Sequence, residues 1–425
     1  MSAENPDWPI RTIGRGRMVE SLLAKHFGLN HKATPRADAL AEIEVTLDRW
    51  LAMGLGVATD ASGKQRFDPV EVFNFFISAG RSGRDPFWEK HFVETSRGDL
   101  MIMMGQDPLS QECPAPSTIG IRRYNFSLNR TYYHSGANPD TGLRLRLPLP
   151  IENPHLKNLD MQLRAPGSAR LRIEPGRLVA RFDATPPDPV TLGVTAAFDA
   201  SPDAGWPGPL GEEETELYLK PRENFIYADD RLYNLARAAT ARQQDHWSQA
   251  QALFRYMIDR FTFAAMPYHI INPGDPLGWS LQTGILDCQI GAAMFCALCR
   301  SLNIPARVVS GYELYSSQNS LHYWAQVWTQ DRGWRSFDFA VWVLSNGGSD
   351  PAWRDLFCES LDHRMIVEVM PLQFTGPSSV RLPRAWHLLR RQTSQGFETT
   401  FYDAQTGQPV YADSVTINKN EALPE

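Results

Sequence analysis

The sequence predicts an α+β protein made of several folded units. Three observations carry this. The chain has 425 residues, more than one average domain. Apolar residues at helical spacing open it, and strict alternation then takes over from about residue 118. Between residues 288 and 340 an apolar helix pattern runs into successive strand patterns. Together they predict a helical region over 1–115, a β-rich, sandwich-like unit over 116–205, a mixed unit over 206–350 and a β extension over 351–425.

In order along the chain, Leu40, Ile43, Leu47 and Trp50 lie on one face of a helix over 37–53. Asp68-Pro69 offers a cap and a first helical residue for a second helix through Ser78. Arg15, Arg17, His26 and His31 read as solvated surface groups. Strands are expected where Leu143–Leu147, Ala169–Ile173 and Leu178–Phe182 alternate, broken at Asn138-Pro139-Asp140, Pro166-Gly167 and Pro175-Gly176. The arginines in these strands read as the exposed face that a half-buried strand requires. Pro, Gly and acidic residues over 201–214 read as a linker. Leu232, Leu235, Ala239, Ala250, Leu253, Met257 and Phe261 then predict helix in two pieces over 229–262. Near the C-terminus, a strand is expected at Met365–Val369 and a hairpin around Gly407.

Forty-two Lys and Arg against 48 Asp and Glu leave a formal charge of −6, which argues against a nucleic-acid partner. No apolar run approaches the ~20 residues that span a bilayer, and the N-terminal stretch lacks the apolar core of a secretory signal. A cytoplasmic protein without a membrane partner is therefore expected. Five cysteines, an odd number in no framework pattern, suit a reducing compartment in which a thiol stays free.

The chemistry is concentrated at Cys288, His322 and Asp338. Gly291–Arg300 is a strong helix former; Arg300 suits its C-terminal end, Asn303 can take the left-handed cap and Pro305 forbids continuation. The helix thus starts near Asp287–Gln289, with Asp287 a candidate N-cap. A thiol in that first turn faces unpaired N–H groups and the positive end of the dipole, which are expected to lower its pKa and to be able to hold an oxyanion. Asp287 opposes this, so His322 has to supply the compensating charge. Cys296 and Cys299 lie in the body of the same helix and read as core. Their spacing lacks a second ligand pair, so neither metal nor cofactor is expected. Cys113 and Cys358 have no supporting context.

His322, Trp324, Gln326 and Trp328 share one face of a strand, and a turn-rich segment separates it from the run Trp334–Ala340. A hairpin turning about Gln330 would set His322 directly opposite Asp338; a two-residue shift would still leave both on one face. Gln282, six residues before the thiol, and Trp279 are the candidate side-chain donors to an oxyanion.

These residues resemble the transglutaminase-like superfamily of cysteine enzymes. In that family a Cys opens a helix, a Gly-Ile-Pro-Ala-Arg type strand follows, His stands in a His-x-Trp strand, and Asp follows Gly-Trp. The counterparts here are Cys288, Asn303-Ile304-Pro305-Ala306-Arg307, His322 with Trp324, and Gly333-Trp334 before Asp338. The resemblance covers about residues 240–345. It implies a papain/transglutaminase-like core, a Cys-bearing helix packed on an antiparallel sheet, and acyl transfer through a Cys-His-Asp triad. The acyl donor would be a peptide amide or a carrier-protein thioester and the acceptor an amine, with natural-product biosynthesis one setting. Hydrolysis with water as acceptor and a non-catalytic binding module are the alternatives.

Overall fold

The computed structural model describes residues 12–26, 35–69, 71, 72, 74–76, 101, 120–134, 143–201, 208–223, 225–264, 266, 268, 271, 272, 274–314, 321–339, 351–356, 364–370, 388–393, 396–403 and 406–422. Cys113, Cys358, His31 and the Asn138-Pro139-Asp140 break lie outside them.

Helices α1 (Arg15–His26) and α2 (Arg36–Ala52) pair at the N-terminus. Ile43, Leu47 and Trp50 are buried as the spacing predicts, with Ala39 completing the stripe. Arg15 departs from its surface reading: it bridges the two helices, 2.7 Å from both Glu44 and Asp48. This small core also takes in Ala264 and touches Ile285, so it packs against the segments that lead to Cys288.

The β unit contains β1 (Arg122–Tyr132), β2 (Leu143–Pro148), β3 (Leu156–Arg164), β4 (Arg170–Glu174), β5 (Arg177–Phe182) and β6 (Val190–Ala200). After it comes α3 (Glu212–Leu219), whose first turn takes up the end of the 201–214 stretch predicted as linker. The reason is that Glu212, Glu213 and Glu214 fill its first turn, where acidic side chains favour the helix dipole. Helices α4 (Asp230–Ala239) and α5 (His246–Arg260) follow as two pieces, each capped by an aspartate. Next are α6 (Pro276–Thr283) and α7 (Cys288–Ser301). The mixed unit continues with β7 (Ala306–Glu313), β8 (Leu321–Thr329), β9 (Gly333–Phe337) and β10 (Arg364–Val369). The chain closes with β11 (Leu388–Thr393), β12 (Gly396–Asp403) and β13 (Pro409–Ala422).

Two sheets, ordered β11-β12-β13-β1-β6-β3 and β2-β5-β4, enclose one apolar cluster. The C-terminal strand β13 lies beside β1, and buried Arg130 there donates to both carboxylate oxygens of Asp413 at 2.6 Å. A fork of this kind fixes register as well as adding energy. A separate antiparallel sheet, β9-β8-β7-β10, carries α7 on one face. Every residue from Ile290 to Arg300 is buried, which is why that helix is apolar all round. Its body packs with Ala306, Val308, Ala325, Val327 and Phe337 in the second core cluster. Tyr312, Met365 and Val367 of β7 and β10 join the cluster of the β unit instead, so the two units share an interface.

At Gly311 a Cβ would sit 1.8 Å from the Met365 carbonyl oxygen, just where the β7–β10 register slips. Gly311→Ala is therefore expected to part these strands and cost about 3 kcal/mol, read by denaturant melting.

Candidate active site

The chain enters α7 along a tightly specified path. Gly284 caps α6 in the left-handed conformation (φ 71°). Ile285–Leu286 then pairs in parallel with Thr262–Phe263, and Asp287 follows as the N-cap. One oxygen of Asp287 accepts the Ile290 N–H at 2.9 Å. The other accepts the Tyr268 hydroxyl at 2.6 Å. With Asp287 held twice, Cys288 stands at the first helical position, half-buried. The far end of the helix is anchored by Arg300, which donates to the Ala306 and Lys220 carbonyls and to Glu223, while Asn303 takes φ 59°.

The Cys288 thiol hydrogen-bonds the imidazole of His322 and meets the backbone at Tyr323. His322 is buried, and its Nε2 lies 2.7 Å from Asp338 Oδ2, which leaves Nδ1 for the sulfur. Trp324 stacks beside the imidazole, with ring centroids 6.0 Å apart. The expected register needs one correction. Thr329 pairs with Gly333, so the hairpin turns about Asp331, not Gln330. Arg332 N–H returns to the Thr329 carbonyl, and Gly333 takes φ 65°, the turn-plus-left-handed-residue pattern of a three-residue loop. His322 and Asp338 consequently meet diagonally on the shared face, not directly across.

Two residues the sequence reading missed complete the buried cluster. Arg364 of β10 donates to Asp338 Oδ2 from Nε at 3.0 Å and approaches it from Nη2 at 2.8 Å. Glu313 of β7 lies 3.7 Å from Arg364 Nη2 and 3.9 Å from His322 Nε2. Nothing local marks either residue; each enters the site only because β7 pairs with both β8 and β10. Glu313, His322 and Asp338 bring one ligand atom each within 4.8 Å of one another. The donor set fits a metal ion poorly, because the Arg364 guanidinium already balances both carboxylates.

Charge follows from this packing. Burial lowers the pKa of His322, but the charges of Asp338 and Glu313, with hydrogen bonds to Asp338 and Cys288, hold it well above the ordinary value. For Cys288 the expected lowering does not result: burial raises the thiol pKa, Asp287 adds to that, and the His322 bond and charge only partly offset it. Cys296 is pushed up to about 12 by burial and Cys299 well above the ordinary value, and among the described residues no imidazole offsets either shift. Gln282 is exposed on the last turn of α6, and Trp279 packs half-buried against the core. Among the described contacts, neither reaches Cys288.

A thiol at a helix start, bonded to an imidazole that a buried aspartate holds on an antiparallel sheet, defines a papain-like cysteine site. Residues 233–339 match the family model of the transglutaminase-like superfamily, which identifies this segment as a transglutaminase-like domain. The chain is also similar to a protein-glutamine gamma-glutamyltransferase of Pseudomonas aeruginosa, 29% identical over 154 residues. That alignment covers 32% of this chain and only 22% of the relative's length. Among solved structures, a candidate cysteine protease from Cytophaga hutchinsonii aligns at TM-score 0.47 and 13% identity, covering 72% of this chain and 93% of that one. The periplasmic domain of TgpA from Pseudomonas aeruginosa aligns at TM-score 0.31 and 16% identity, covering 59% and 95%. Neither structural alignment bears on the chemistry. Among the described residues, no helix is long and apolar enough to cross a membrane.

Proposed function

We propose that the protein is a cysteine-dependent acyltransferase that forms or exchanges an amide bond. The observation that carries this is His322 held between the Cys288 thiol and Asp338. In the first half-reaction the Cys288 sulfur attacks the donor carbonyl, and the developing oxyanion faces the N–H groups at the start of α7 that Asp287 does not cap. The C–N bond of an amide donor, or the C–S bond of a thioester donor, then breaks, and the His322 imidazolium protonates the leaving group. In the second half-reaction neutral His322 takes a proton from an incoming amine, the new C–N bond forms, and the thiolate leaves. Asp338 keeps the imidazole oriented and stabilises its charged form. Water in place of the amine would give hydrolysis by the same steps.

Selective alkylation tests the nucleophile. On treatment with iodoacetamide across pH, Cys288 is expected to react at least about tenfold faster than Cys296 or Cys299, read by peptide mass spectrometry. Uniformly slow reaction of all thiols would sink the catalytic reading. Incubation with peptide-amide and acyl-thioester donors then identifies the acyl source as an adduct on Cys288 that is missing in Cys288→Ala.

A further inference from the structure

The arginines of the β unit fall into register across three strands. Arg144 of β2 pairs with Arg181 of β5, and Arg181 pairs in turn with Arg170 of β4, which makes one cross-strand row. Arg172 lies two residues along β4 on the same face. Strands β2, β4 and β5 carry six arginines and one acid, Glu174, in a chain whose net charge is −6. Glu174 is divided among Arg144, Arg172 and Arg177, at 3.7, 3.5 and 3.6 Å. Arg170 is paired with exposed Asp183, yet its side chain remains 77% exposed and that of Arg172 73%. Like charges directly opposed on neighbouring strands repel, so folding alone does not favour this row.

The same strand has a second unusual face. Among the described residues β4 is an edge of its sheet, bonded to β5 alone. Leu171 and Ile173 pair with buried Ala180 and Leu178, but they overhang the sandwich and remain 47% and 63% exposed. The edge thus alternates guanidinium and apolar side chains, with its outer main-chain groups directed away from β5.

We propose that β4 is a docking edge for an extended segment of a partner protein in which acidic and apolar residues alternate. Added as a strand, such a segment would bond the free edge through its main chain, set its carboxylates against Arg170 and Arg172, and cover Leu171 and Ile173. Charge complementarity selects this occupant. A second copy would bring arginine against arginine, and a nucleic acid would leave the apolar overhang uncovered while meeting a chain of net negative charge. The edge is also mechanically close to the site. In the β4–β5 turn, Gly176 packs so closely that a Cβ would sit 1.9 Å from the Val367 carbonyl oxygen of β10, the strand that carries Arg364. A protein docked there is held beside the catalytic sheet. Docking does not depend on Cys288 being reactive, so the two readings fail separately.

The test uses the full chain and a short fluorescent peptide alternating aspartate and valine, followed by anisotropy at increasing salt. Saturable binding that weakens with salt is expected, with a loss of at least about tenfold in Arg172→Glu and in Leu171→Asn. Methylation of the peptide's alternate backbone nitrogens should abolish binding on the pairing edge. Melting curves of both variants, expected to match the parent at these exposed positions, separate docking from misfolding. Equal binding of a peptide of the same composition with its acids clustered, or of a single-stranded oligonucleotide, would overturn the proposal, as would unchanged affinity in both variants.

Discussion

His322→Ala is expected to lower Cys288-dependent acyl transfer by about a thousandfold or more, the scale on which a triad member acts with its partners. The same variant should slow Cys288 alkylation at neutral pH, because burial and Asp287 both disfavour the thiolate and only His322 contributes opposing charge from a side chain. Asp338→Asn separates holding the imidazole from charging it. The asparagine keeps a polar side chain near Nε2 but removes the largest of the influences that raise the His322 pKa. His322 then loses its proton at lower pH, so the alkaline limb of the activity profile moves down. Stability carries the same sign. With a folded pKa above its unfolded value, His322 contributes stability that is fully present below its ordinary pKa of about 6.5 and is lost as pH rises through the raised folded value. Chemical melts at a series of pH values should show that loss in the parent and much less of it in Asp338→Asn. An unchanged alkaline limb would mean that another acid sets the charge on His322, and Glu313, 3.9 Å away, is the next candidate.

How much of this could be read from sequence depended on how locally each feature is encoded. The start of α7 was legible because capping is local: Asp287 caps Cys288–Ser301, and Asn303 adopts the left-handed cap. Side-chain parity in a strand is local too, so the shared face of His322 and Asp338 survived a one-residue error in the turn centre. The turn-rich run Thr329–Gly333 has Asp331 as its midpoint, and the observed pairing follows that midpoint, one residue beyond Gln330. Glu313 and Arg364 were illegible for the opposite reason. Glu313 reaches His322, and Arg364 reaches Asp338, through pairing between β7, β8 and β10, and no pattern within a strand specifies its neighbours. The same holds for β13, which pairs with β1 from the far end of the chain. The thiol pKa was misjudged because a helix start supplies a local field, whereas burial of Cys288 depends on the tertiary surroundings.

Arg364→Met is expected to be the most destabilising single change at the site, by about 3–5 kcal/mol, because it removes one partner of a buried charge cluster and leaves the others in place. In the parent, Asp338 Oδ2 is shared by His322 Nε2 and both Arg364 Nε and Nη2, and Glu313 lies against the same guanidinium. Methionine fills similar space beside Trp324 but returns no charge, so two buried carboxylates are left with one imidazolium between them. Two observations would distinguish this from a simple packing defect. The loss should shrink as pH falls and a carboxylate protonates, which a cavity or a clash would not do. It should also be non-additive with Asp338→Asn, since the double variant removes the stranded charge together with its partner. Urea melts of the four proteins in that cycle, repeated at acidic and neutral pH, decide the matter. Additive losses independent of pH would mean that Arg364 supports the sheet by its bulk alone and that His322 is positioned without it.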